Sequence, residues 1–281
     1  MPATFGFPAL PYENLGKVNS HGIELDLSTR GNIGKVTYNL SGNVSYNISK
    51  AVFLDEVPPA ERYQKLTGMP VFTGLYYKAD GIFHNQAELD KYPHDANTQI
   101  GDIREVDLNG DGKIDSKDQY RAPYTAIPKY VFGLNSNFQF KNFDLNIFFQ
   151  GQAGVRNYDG QAATIGGTDF TNGLVWRATD RWSPSNPNGT MPRADAYQPG
   201  NTTFFLFDAS FVRLKTVQLG YSIPASLLEQ TKVLKGLRVY VSAFNLLTWA
   251  AQVKFADPEF NGSFFNYPPS RVINFGASLK F

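Results

Sequence analysis

The chain has 281 residues, no cysteine, 42% apolar residues and a formal net charge of +1, which gives no electrostatic case for a nucleic-acid partner. A mean hydropathy of −0.30, with no long apolar run, excludes a transmembrane helix. It does not exclude a membrane barrel, whose alternating strands average out in any hydropathy window. Aromatic residues reach 15%, mostly Phe and Tyr, and Gly and Pro are plentiful, a composition typical of all-β chains.

Residues 1–5 carry no basic region, apolar core or cleavage site of a secretory leader. An exported chain of this sequence is therefore expected to be a fragment. Residues 22–29 then alternate, with Ile23, Leu25 and Leu27 opposed to Glu24, Asp26 and Ser28, and a short turn is expected around Gly31-Asn32. Residues 35–48 alternate further. Val36, Tyr38, Leu40, Val44, Tyr46 and Ile48 share one face, while Lys35, Thr37, Asn39, Ser41, Asn43, Ser45 and Asn47 form the other. Soluble strands centre on about 5–6 residues, so a run this long is unusual outside a membrane wall. The sequons at Asn39, Asn43 and Asn47 fall on the wet face and read better as lumen-lining amides than as glycan acceptors.

The next stretch holds the strongest site signal: Asp107-Leu108-Asn109-Gly110-Asp111-Gly112-Lys113-Ile114-Asp115-Ser116-Lys117-Asp118. It matches a calcium loop at positions 1, 3, 5 and 9, with Gly112 at the sharp turn. Asp107, Asn109 and Asp111 would offer side-chain oxygens, Lys113 its carbonyl, and Asp115 a direct or water-bridged ligand. Position 12 is Asp118 rather than Glu, a shorter arm for bidentate binding. The same residues also suit an Asx-rich turn in a solvated loop. A structural calcium ion is the expected cofactor. The three histidines show no metal-ligand spacing, and no phosphate loop, nucleophile elbow or zinc-protease motif occurs. The expectation is a protein that is not an enzyme.

Residues 130–140 and 143–150 alternate around a tight Lys141-Asn142 turn. Trp176-Arg177-Ala178-Thr179-Asp180-Arg181-Trp182 could stack on sugars or peptides, or form a small loop core. Residues 211–222 alternate with a phase slip near Lys215-Thr216, as a β-bulge causes. Leu237, Val239, Val241 and Ala243 oppose Arg238, Tyr240 and Ser242. Residues 271–281 close the chain with Ile273, Phe275, Ala277, Leu279 and Phe281 on one face, a length suited to a tilted transmembrane strand of about 9–11 residues.

Connections at 30–34, 141–142 and 223–236 are short, and those at 49–128, 152–209 and 250–270 are long, in strict alternation. Short periplasmic turns and long extracellular loops have this form. With Phe281 at the periplasmic side, Phe140, Phe143 and Tyr221 fall near the short turns and Tyr130 and Trp249 near the opposite rim, where amphipathic rings favour the interface. About seven antiparallel strands cannot close a barrel, so the expected fold is all-β, the C-terminal segment of a large transmembrane β-barrel. The rival reading is a secreted calcium-stabilised β-sandwich that binds carbohydrate.

Several blocks carry a resemblance. They are Asp107 to Asp115, Ile127-Pro128-Lys129-Tyr130-Val131-Phe132-Gly133-Leu134 with Asn142-Phe143-Asp144-Leu145, and Arg181-Trp182-Ser183-Pro184 with Pro187-Asn188. Phe211-Val212-Arg213-Leu214-Lys215 with Leu219-Gly220-Tyr221, Leu237-Arg238-Val239-Tyr240 with Asn245-Leu246, Asp257-Pro258-Glu259 and residues 268–281 complete them. In this order they resemble the SusC/RagA-type TonB-linked outer-membrane transporters. The resemblance implies a barrel of about 22 strands with an N-terminal plug, a TonB complex as energy-coupling partner through a region missing here, and a SusD-like surface lipoprotein that helps capture oligosaccharide or peptide substrates. It also implies outer-membrane lipid around the wall and a barrel-assembly signal that includes Phe281.

Overall fold

The computed structural model describes residues 15–160, 174–197, 200–259 and 267–281, so the leader reading of residues 1–5 lies outside the described residues. In chain order the strands are β1 (Lys17–Ile33) and β2 (Val36–Phe53), then β3 (Leu75–Tyr77), β4 (Ala79–Ile82), β5 (Ile103–Glu105) and β6 (Gln119–Arg121) within the first long connection. There follow β7 (Tyr130–Phe140), β8 (Phe143–Ala153), β9 (Arg156–Tyr158), β10 (Leu206–Asp208), β11 (Phe211–Ser222), β12 (Gly236–Ala250) and β13 (Val272–Lys280). Seven of them form one antiparallel sheet in the order β1-β2-β7-β8-β11-β12-β13.

Period-two alternation makes every strand a two-faced ribbon, and the register lines those faces up across the sheet. Tyr38, Phe138, Leu145, Leu219, Val241 and Phe275 stand side by side in one row. One residue along, Asn39, Asn137, Asn146, Gln218, Ser242 and Asn274 form a row on the opposite face. Asn146 donates to the side-chain oxygens of Asn135 and Asn137, both at 2.8 Å, so this amide row is cross-linked. The apolar face is bare: Ile23 is 73% exposed and Phe275 85%. A contiguous apolar surface on this scale marks contact with lipid or another apolar partner. A sandwich would bury that face against a second sheet. The remaining described sheets are two-stranded pairs in the long connections, so the sandwich is not the architecture.

Aromatic rings bracket the apolar band. Phe143 and Tyr221 pack with centroids 4.7 Å apart at the short-turn end, and Tyr46 and Tyr130 at 4.9 Å near the long-loop end. The Lys141-Asn142 turn forms as expected, with Lys141 at φ 53. The first turn does not. β1 continues through Gly31-Asn32, and the hairpin closes at Gly34-Lys35 with Gly34 at φ 60. Gly31 looks like a turn residue, but the Tyr38 ring occupies the space where its side chain would stand. The phase slip in β11 is a register shift between Leu214 and Thr216, present against both neighbours. β12 runs to Ala250, where the long connection was expected to begin, with Asn245 at φ 51 inside it.

Tyr240 on β12 lies over Gly276 of β13, where an added Cβ would strike the phenol ring. Gly276→Val is expected to cost about 1–3 kcal/mol through overpacking, read as a lower urea midpoint. The Tyr240→Ala background should abolish most of that penalty.

Candidate functional site

The described parts of the three long connections fold into one layer above the wall. β3 pairs with β6, β4 with β5 and β9 with β10. Ile82, Ile103, Met191 and Phe205 form a buried cluster against Trp182 and Tyr158, and Val155, Ala209 and Val253 form another. These clusters draw on all three connections. Backbone and ionic ties join them: Tyr77 N–H donates to the Asn201 carbonyl at 2.8 Å, and Arg193 Nε donates to the fully buried Asp102 at 2.5 Å.

Within this layer the Asp-rich loop closes on its own amides. Asp107 accepts from the Gly110 and Gly112 N–H groups at 2.7 and 2.8 Å, and Asn109 Oδ1 accepts from Asp111 N–H at 3.0 Å. Asp111 accepts from Lys113 N–H at 3.0 Å and from the Asn109 amide, which holds its carboxyl below the usual range. Asp115 caps the short helical turn Ser116–Asp118, accepting from Lys117 N–H at 2.7 Å. Asp118 is fully buried and accepts from Leu108 and Asp115 N–H groups at 2.8 and 2.9 Å, tying the loop's start to its end. Gly110 and Gly112 sit at φ 77 and 83, a region open to glycine.

The loop docks through Tyr63, whose hydroxyl donates to the Lys117 carbonyl at 2.6 Å, and through Gln64, which donates to the Ser116 carbonyl at 2.7 Å. Among the described residues no three His, Asp or Glu side chains converge as a metal-binding group. Beside the loop, burial pushes the Glu105 carboxyl up to about 8, with the Asp118 and Asp95 charges adding to it. The Glu105 Oε1 has no hydrogen-bond partner among the described residues.

The tryptophan segment divides. Trp176 packs on Phe255 at 5.7 Å and flanks the buried Arg177, which pairs with Asp159 at 2.6 Å. That half is loop core. Trp182, with Gln86, Arg181, Arg193 and Asp195, lines a cavity of about 680 Å³ in the loop layer. Phe281 follows the end of β13 and is 68% exposed.

Sequence reasoning quoted Arg213 only within a block of resemblance and gave it no role; it is the largest fully buried side chain among the described residues. It stands on the polar face of β11 between Gln150 and Thr248. Its guanidinium donates to Glu259 at 2.6 Å, Asp257 at 2.7 Å and Thr248 Oγ1 at 3.0 Å, and it lies 4.9 Å from the Phe211 ring. Gln150 donates to the other Glu259 oxygen at 3.2 Å. Asp257-Pro258-Glu259 thus folds down onto the wall. An arginine on a face otherwise rich in Asn, Gln and Ser, with two carboxylates two positions apart downstream, was the available signal.

An apolar face bracketed by aromatic rings, a cross-linked amide face, short turns at one end and a folded loop layer at the other define part of the wall of an outer-membrane β-barrel. More particularly, the chain is similar to the C-terminal portion of TonB-dependent receptors of the SusC/RagA type. It is 28% identical over 305 residues to TonB-dependent receptor P3 of Formosa agariphila, covering 96% of this chain and 29% of that protein. It is 26% identical over 295 residues to the TonB-dependent receptor SusC of Bacteroides thetaiotaomicron, covering 100% and 28%. Its fold matches the structure of the RagAB peptide transporter with a TM-score of 0.75 at 22% identity, covering 100% of this chain and 31% of that one. The 'open-open' state of the RagAB peptide importer gives 0.72. No protein-family model matches the chain. The chain spans less than a third of the length of these relatives.

Proposed function

We propose that this chain forms part of the barrel wall and surface loops of a TonB-dependent outer-membrane importer of nutrients, glycans or peptides, and that the parent performs no covalent chemistry. The observation that carries it is the match over nearly the whole of this chain, in sequence to receptors of that name and in fold to a peptide transporter. A SusD-like surface lipoprotein would cap the loop layer, and a TonB complex would act through a plug contributed by another part of the protein. The preassembled loop layer suits such a cap, since preorganised surfaces bind at lower entropic cost.

The test is direct. The intact parent should fractionate with outer membranes, migrate heat-modifiably on gels, and support uptake that stops when TonB is deleted. Recovery as a soluble monomer sinks the proposal.

Calcium belongs to the same reading. The oxygen-donor chemistry of Asp107, Asn109, Asp111, Lys113 and Asp115 suits this ion, and the hydrogen bond from Gly112 N–H to Asp107 shapes the required turn. Bound calcium would neutralise these carboxylates and hold the loop surface in place; Asp118 would act from beneath through the loop amides. Excess calcium should raise the loop layer's melting temperature by a few degrees and chelator should reverse it. Asp111→Asn should abolish that response, and an identical response in the variant counts against the site.

A further inference from the structure

Two of the short ribbons in the loop layer bring tyrosines together around one arginine. β3 and β6 set Tyr76 opposite Tyr120, so these rings share one face of their ribbon, while Tyr77 turns to the other face and is buried. On β9, Arg156 and Tyr158 share a face and Asn157 is buried on the other. The two faces meet. The Tyr76 and Tyr158 ring centroids are 5.4 Å apart, and the Arg156 guanidinium lies 4.4 Å from the Tyr124 ring. Tyr124, Arg156 and Tyr76 all bear electrostatically on the Tyr120 phenol. The five side chains therefore form one patch, just before β7 and just after β8. Tyr124 is 38% exposed and the other four are half-buried.

The polar groups of this patch are left over from folding. The hydroxyls of Tyr76, Tyr120 and Tyr124 have no hydrogen-bond partner among the described residues. Burial pushes the Tyr76 and Tyr120 phenols up, which keeps them protonated as donors. Arg156 Nη1 reaches the Leu206 carbonyl only at 3.4 Å. Asp208 stands opposite Arg156 across β9 and β10, but its carboxylate accepts from Ser210 N–H at 2.9 Å. Among the described residues no carboxylate lies within ion-pair distance of Arg156. The strands themselves are occupied on both sides. β3 pairs with β6 and gives Tyr77 N–H to the Asn201 carbonyl, and β9 pairs with β10 and gives Arg156 N–H to the Thr125 carbonyl. Neither strand has an edge free to take a peptide backbone, so recognition here falls to side chains.

We propose that this patch binds an oligosaccharide through a uronate residue. The tyrosine rings stack on the C–H faces of the sugar, and the phenols exchange hydrogen bonds with its hydroxyls, since each can donate and accept. The Arg156 guanidinium takes the carboxylate, for which its planar fork is suited. The inference rests on the import reading above and narrows the substrate of that reading to acidic glycans.

The experiment measures binding of labelled tetramers of galacturonate, mannuronate or guluronate to the intact parent in detergent, by fluorescence polarisation, each beside its carboxyl-reduced, neutral form. At least one uronate tetramer should bind about tenfold better than its neutral form. Arg156→Gln should remove that preference and keep the weaker binding of the neutral sugar. Tyr76→Phe combined with Tyr124→Phe, which keeps the rings and removes two hydroxyls, should weaken both forms alike. Arg62→Gln, at an exposed cation elsewhere in the loop layer, should change neither. Heat-modifiable migration reports that each variant has folded, and the double Phe variant gives the reading if Arg156→Gln does not assemble. The proposal is overturned if the wild type prefers no uronate, if the preference survives Arg156→Gln, or if the double Phe variant binds undiminished. An equal loss in Arg62→Gln overturns it too, as an effect of net charge, and so does a tetraglutamate peptide that binds as tightly as the uronates. Membrane fractionation and TonB-dependent uptake test the import reading separately, so an importer indifferent to uronates overturns this inference alone.

Discussion

Arg213→Ala is expected to lower the unfolding free energy of the barrel by about 3–5 kcal/mol, the range for breaking a buried pair from one side. Arg213 is 1% exposed and Asp257 7%, so removing the cation leaves a buried carboxylate with no counter-charge. Glu259 keeps its bond from Gln150 and can reach water, which limits its share of the penalty. Urea unfolding followed by gel heat-modifiability measures the loss. Arg213→Ala combined with Asp257→Ala should recover much of it, because the stranded charge goes with its partner. A single-variant penalty under about 1 kcal/mol would mean that the Asp257-Pro258-Glu259 segment is held by something other than this arginine.

The second large effect tests which face meets lipid. Val217 sits midway along β11, beside Ile147 and Ala243 on the apolar face, and Gln218 is its neighbour on the amide face. Val217→Arg is expected to cost about 2–4 kcal/mol, the range for a cation facing lipid at the bilayer midplane. Gln218→Arg should cost much less, because on the amide face the cation would stay hydrated. The pair differ by one position in sequence and share a strand, so local propensity cannot separate them. Equal penalties in folding assays from urea into liposomes would show that the faces are assigned wrongly.

The wall was readable from sequence wherever alternation was unbroken. Residues 130–140 and 211–222 coincide with β7 and β11, the latter including its bulge. The turn was misplaced where a glycine serves packing inside a strand: Gly31 makes room for Tyr38. The Asp-rich loop was visible as a motif, yet its hydrogen bonding depends on Asp118 facing inward, which spacing alone does not give. Trp176 and Trp182 looked equivalent in a seven-residue segment and separate because one packs on Phe255 and the other lines a cavity. Arg213 escaped notice because its partners lie 44 and 46 residues away across a connection with no periodicity.

The cross-linked amide row has a consequence for what the polar face can bond to. Asn39, Asn137, Asn146, Gln218, Ser242 and Asn274 carry no formal charge, and each of these side chains both donates and accepts. Such a surface exchanges hydrogen bonds with hydroxyls, amides and water on nearly equal terms. This row of the polar face therefore presents interchangeable donors and acceptors and no fixed charge.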